Sequence, residues 1–203
     1  MDLISRILAP GLFGAQMVDV DQPVFLAPGE ESLVAKAAPK RRREFALGRA
    51  CAHAALSMLG YADAVIGRRE NGAPHWPDGV VGSITHTSGY AAALVAEGTR
   101  FSGIGLDAER VGGVTENLWP RLFDAGECGT LEKLDEGTRK LVATLFFSAK
   151  EASYKAWGMK TALSFREIHI TRTEGGFAAT RSGATLQGRF AIEGDLLLTA
   201  AWF

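Results

Sequence analysis

Residues 102–110, SGIGLDAER, set two carboxylates two positions apart at the end of an apolar run. In an extended strand successive side chains alternate, so Ile104, Leu106 and Ala108 share one face, and Asp107 and Glu109 share the other. Paired carboxylates make half of an oxygen-ligand site for a hard cation such as magnesium, which keeps several waters and is completed by substrate phosphates. The plainer alternative is a strand end whose acids face water.

Residues 146–157, FFSAKEASYKAW, have helical periodicity and place Glu151 and Lys155 four apart on one face, with Lys150 beside them. An exposed pair at that spacing contributes only about 0.3–0.5 kcal/mol and needs no function. Phe146, Phe147, Tyr154 and Trp157 surround this one, however, and a partly buried carboxylate and ammonium call for partners. A third segment, residues 82–90 (GSITHTSGY), offers an anion the hydroxyls of Thr85, Thr87 and Ser88, the imidazole of His86 and backbone donors. Capping a turn is the other use for that histidine. A fourth is the basic run Lys40, Arg41, Arg42 and Arg43 with Arg49, followed later by Arg68 and Arg69. Such a run is either a solvated helix end or a set of guanidinium forks for phosphate.

These side chains need a scaffold. Leu47, Cys51, Ala54, Ala55 and Met58 recur at helical spacing and predict an amphipathic helix over residues 40–59 with a basic entrance. Short β-rich segments at 80–85, 90–96 and 102–108, bounded by glycine and polar residues, predict an antiparallel sheet. Helical patterns at 127–134 and 138–157 precede further strands near 167–171, 188–192 and 196–202. Helix followed by strands thus occurs twice, which favours an α+β fold of two halves, 1–98 and 99–203.

The 203-residue chain is 47% apolar and 22% charged, the balance of an ordinary globular protein. A net charge of −1 excludes a surface that is one basic footprint for nucleic acid. Cys51 and Cys128 stand far apart without C-x-x-C spacing, indicating neither a disulfide framework nor a cysteine-rich zinc site. Asp2, Arg6 and Pro10 interrupt the apolar start before it reaches the length of a signal peptide or membrane span, so the expected location is the cytoplasm, away from any membrane. The absence of zincin-like histidine spacing, a G-x-S-x-G elbow or a Walker-type lysine loop disfavours the common hydrolases and nucleotide triphosphatases.

Taken in order, the basic helix, PHWPDGVVGSITHT, GIGLDAE and FSAKEASYKAW resemble the phosphopantetheinyl transferase superfamily, over residues 40–170. The enterobactin-type and mycobacterial-type enzymes are a nearer likeness than the small trimeric holo-acyl-carrier-protein synthases. The resemblance implies an α+β pseudo-dimer, acting as a monomer, with coenzyme A in the cleft between similar halves. It implies transfer of the 4′-phosphopantetheine arm to a serine of an apo acyl or peptidyl carrier protein, releasing adenosine 3′,5′-bisphosphate. Asp107, Glu109 and Glu151 would hold magnesium, with manganese suiting the same oxygens. Glu151 would also act as base, and Lys155 would meet the coenzyme A phosphates. Lys150 and His86, with Thr85 in the same turn, would contact the phosphate region; Arg49, Arg68 and either Arg41 or Arg42 would grip coenzyme A. Ala73 occupies a place that is basic in many relatives, with Arg68 as its substitute. Two other classes fit parts of the pattern: a non-catalytic module binding coenzyme A or a nucleotide, and a magnesium-dependent phosphohydrolase.

Overall fold

The structure, a computed structural model, describes residues 2–19, 22–158 and 164–203. The architecture is α+β, built on two antiparallel sheets that each carry one long helix. The first sheet contains strands β1 (Phe13–Val18), β4 (Val80–Thr87) and β5 (Tyr90–Glu97) in the order β1-β5-β4. Helix α1 (Pro39–Met58) packs on it, and β2 (Gly67–Arg68) and β3 (Pro74–His75) form a separate two-stranded ribbon. The second sheet runs β6-β10-β9-β8-β7, from β6 (Ile104–Arg110), β7 (His169–Thr173), β8 (Gly176–Arg181), β9 (Ala184–Glu193) and β10 (Leu196–Trp202). Between β6 and β7 come the short helices α2 (Trp119–Leu122) and α3 (Ala125–Leu131) and the long helix α4 (Glu136–Ala156).

Helix α1 starts with proline at its first position, where the missing N–H costs nothing, and ends before Gly60, whose φ of 92° suits a residue without Cβ. Helix α4 begins at Asp135, whose carboxylate accepts the N–H of Thr138, and α3 begins with a capping box between Asp124 and Glu127. Strands β4 and β5 meet in a hairpin at Ser88–Gly89, with Gly89 at a φ of 74°.

Strand β5 is buried along almost its whole length because both of its faces are covered. Ala91, Ala93 and Val95 face Leu47, Cys51, Ala55 and Leu56 of α1. Tyr90, Ala92, Leu94 and Ala96 join Ile104, Leu106, Ala108, Leu198 and Ala200 in the core shared by the two sheets. The seam between β4 and β6 is closed by side chains: the hydroxyls of Ser83 and Thr85 accept the backbone N–H of Leu106 and Ala108, each at 3.0 Å. On its other face β6 meets α4 at unusually short range. A Cβ on Gly105 would lie 1.7 Å from the carbonyl oxygen of Ala152. Among the described residues no helix is long and apolar enough to cross a membrane.

Helices α1, α3 and α4 and the strands at 80–87, 90–97, 104–110 and 196–202 fall where periodicity predicts them, with bounds shifted by a few residues, while α2 was not anticipated. Strands β1 and β8 and the β2–β3 ribbon were not anticipated. FGAQMV and GFAATR lack clean alternation, and their strand form is imposed by pairing with β5 and β9.

Candidate active site

The pleat of β6 turns Ile104, Leu106 and Ala108 into the shared core and aims Asp107 and Glu109 at α4. Helix α4 returns Glu151 and Lys155, one turn apart on the facing side. Because Gly105 lets helix and strand nearly touch, Lys155 crosses to the strand. Its Nζ donates to Asp107 Oδ1 at 2.7 Å and to the carbonyl oxygen of Leu106 at 3.0 Å. The expected pairing along the helix, Glu151 with Lys155, gives way to one between elements.

Three acids now share one cation. Asp107 is buried, and its Oδ2 has no hydrogen-bond partner. Burial, then Asp107, and beyond it Glu151 push the Glu109 carboxyl up to about 7, against the pull of Lys155. Glu151 is also raised, first by burial and then by Asp107, with Lys155 opposing. An all-oxygen set with an orphaned buried acceptor and too little positive charge fits a hard divalent cation. Among the described residues, no three His, Cys, Asp or Glu side chains already stand close enough together to cage an ion.

His86 stands at the end of β4 beside this group. Arg41 donates to its Nε2, and Glu44 Oε2 lies 3.9 Å from its Nδ1. Burial first, then Arg41, hold the imidazole below its usual range, and since a guanidinium can only donate, its Nε2 accepts. Arg41 is thus the member of the basic run that reaches His86, while Arg43 pairs with Asp19. Glu44 was not singled out from the sequence; its place one turn after Arg41 was the available signal.

Two depressions flank the cluster. One of about 710 Å³ is lined by Arg69, Asn71, Ala73 and Pro74 of the ribbon turn, by Ser83 and Ile84, and by Lys155 and Trp157. The other, about 470 Å³, holds Glu109 and Glu151 against Val114, Leu118, Leu122, Phe147 and Phe165, with Arg121 at its side. Lys155 thus opens on one chamber and the two glutamates on the other.

Three residues expected to meet ligand have their polar groups engaged within the protein. Lys150 is fully buried, and its three donors are taken by Glu127 Oε2 at 2.5 Å and by the carbonyl oxygens of Leu122 and Phe165, each at 3.0 Å. It immediately precedes Glu151, and the helical step of about 100° per residue turns it away from the site. Thr85 spends its hydroxyl on the N–H of Ala108 in the seam between the sheets. Arg49, 3% exposed, donates to the carbonyl oxygens of Ile66 and Gly67 and lies over the Phe45 ring, so it stands behind the cavity wall. Arg68 is exposed on β2, while its neighbour Arg69 lines the cavity.

Residues 29–96 match the family described as the 4′-phosphopantetheinyl transferase N-terminal domain, and residues 103–201 match the 4′-phosphopantetheinyl transferase superfamily. The chain is 42% identical over 196 residues to the 4′-phosphopantetheinyl transferase Npt of Nocardia iowensis, covering 95% of this chain and 87% of that protein. It is 38% identical over 197 residues to PptT of Mycobacterium tuberculosis, covering 85% and 84%. Against the enterobactin synthase component D of Salmonella typhi it is 30% identical over 172 residues, covering 79% and 71%.

Proposed function

The chain belongs to the 4′-phosphopantetheinyl transferase superfamily, and from that membership we propose that Asp107, Glu109, Glu151 and Lys155 form its active site. The reaction moves the 4′-phosphopantetheine arm of coenzyme A to a carrier-protein serine. The serine oxygen bonds to the phosphorus on the pantetheine side of the diphosphate. The bond from that phosphorus to the bridging oxygen breaks, and adenosine 3′,5′-bisphosphate leaves with the negative charge.

The observation that supports this reading best is the acid cluster with Lys155 between two chambers. Coenzyme A lies in the 710 Å³ cavity with its diphosphate toward Lys155, His86 and Arg41. The carrier serine approaches from the 470 Å³ side, past Arg121, which complements an acidic carrier surface. Lys155 exchanges its bond to Asp107 for one to the diphosphate oxygens. Glu151, its proton affinity raised by burial, takes the serine proton. Asp107, Glu109 and Glu151 are the residues that would hold magnesium, or manganese in the same oxygen site. That ion supplies positive charge beside the phosphates and the departing oxygen. Two halves, 1–98 and 99–203, in a cytoplasmic monomer complete the proposal.

The test is the intact mass of a panel of apo carrier proteins after incubation with the protein, coenzyme A and magnesium, with a chelator control. A chelator-sensitive gain of one phosphopantetheine arm is expected. Loss of coenzyme A without protein modification would point to a hydrolase instead.

A further inference from the structure

The β2–β3 ribbon walls the larger cavity but has little to hold its own shape. It pairs Gly67 with His75 and Arg68 with Pro74 and adds turn bonds from the N–H of Arg69 to the carbonyl oxygen of Ala73 at 2.8 Å and from the N–H of Gly72 to that of Arg69 at 2.9 Å, but two strands of that length do not persist unaided. Both moorings are at its open base: after β3, Trp76 Nε1 donates to the carbonyl oxygen of Gly82 at 2.9 Å. Before β2, Arg49 NH1 and NH2 donate to the carbonyl oxygens of Ile66 and Gly67, both at 2.9 Å.

Behind Arg49 sits Glu30, only 1% exposed, with Oε1 3.6 Å from Arg49 NH1 and 3.1 Å from His53 Nε2. Its other oxygen accepts the N–H of Ala27 at 3.2 Å. A carboxylate and a guanidinium so deeply buried are a poor source of stability, since apolar side chains of similar volume serve as well. What apolar side chains cannot do is fork onto two successive carbonyls.

We propose that Glu30 is a positioning residue for coenzyme A: it holds the Arg49 fork, and the fork sets the ribbon that forms the cavity wall. Arg69, Asn71, Ala73 and Pro74 follow directly from the carbonyls that Arg49 grips. With the Glu30 charge removed, the buried guanidinium loses its counterion and is drawn toward water, and the two carbonyls lose their donors. This inference rests on coenzyme A occupying that cavity.

The experiment compares wild type, Glu30→Gln and Arg49→Lys as full-length protein with magnesium. It measures the coenzyme A dissociation constant by calorimetry, and kcat and both KM values by carrier mass. Misplacing a binding wall by an ångström costs about ten- to a hundredfold, so coenzyme A affinity and its KM should weaken by that factor in both variants. Carrier KM and kcat should stay within about twofold, as the reacting groups are untouched. Arg49→Lys retains the charge beside Glu30 and keeps the test alive if Glu30→Gln does not fold. Coenzyme A affinity equal to wild type in either folded variant overturns the inference. So does a fall in kcat with both KM values unchanged, the pattern of a smaller folded fraction. A wild type that binds coenzyme A but modifies no carrier overturns the proposed function and leaves this comparison intact.

Discussion

Replacing Gly105 with alanine should disable the site without touching any residue in it. The added Cβ would sit 1.7 Å from the carbonyl oxygen of Ala152, 2.7 Å from its carbon and 2.8 Å from the backbone nitrogen of Ala156. All three are main-chain atoms of α4, so no side chain can swing aside. Ordinary contact begins at 3.4 Å, and strand and helix must separate by about that shortfall. The bond from Lys155 to Asp107 is 2.7 Å long, and a displacement well over an ångström takes it out of hydrogen-bonding range. Overpacking of this kind costs about 1–3 kcal/mol of stability, measurable by urea denaturation. Transfer, followed by carrier mass under saturating substrates, should fall by roughly a hundredfold because the charged groups no longer meet. A Gly105→Ala protein that is folded and turns over like wild type would refute the claim that the spacing of β6 and α4 sets the active site.

Asp107→Ala and Glu151→Ala should each lower transfer by about 10²- to 10³-fold while leaving the circular dichroism spectrum of a folded protein, and wild-type turnover in either would remove it from the site. With divalent cations chelated, Glu109 carries a pKa of about 7 against 4.5 for an ordinary glutamate. The folded protein then holds a proton that the unfolded chain has released. The associated stability is complete below the ordinary carboxylate range and is lost as pH rises through about 7. Tm in chelator should therefore drop between about pH 6 and pH 8 in wild type more than in Glu109→Gln, and magnesium should restore more of it at the higher pH. Lys150→Met leaves Glu127 buried without its cation and should cost about 3–5 kcal/mol in urea denaturation, much of it recovered in Lys150→Met/Glu127→Leu.

The acid cluster was legible because strand and helix periodicities are strict. Once 102–110 is extended and 146–157 helical, Asp107 must share a face with Glu109, and Glu151 with Lys155. What periodicity does not carry is which element each face meets. That Lys155 bonds Asp107, 48 positions away, depends on Gly105, whose lack of a side chain is silent about what it lets approach. The strands β1 and β8 were missed for a related reason, since their conformation comes from the neighbours they pair with.

The three expected ligand contacts whose polar groups turn to the protein share one physical cause. Lys150, Thr85 and Arg49 are polar side chains beside a polar site, and residue type does not reveal whether a donor faces ligand or backbone. Each satisfies backbone groups that folding would otherwise leave buried and unpaired: the carbonyls of Leu122 and Phe165, the N–H of Ala108, and the carbonyls of Ile66 and Gly67. These bonds hold the segments around the two chambers. A charged side chain one residue from Glu151 can thus matter to the reaction without meeting a substrate. The two lysines of the KEASYK segment separate on this ground: Lys155 keeps one donor on an acid whose second oxygen is unpartnered, whereas all the donors of Lys150 are committed to protein. Of the two, Lys155 is the one that borders a cavity.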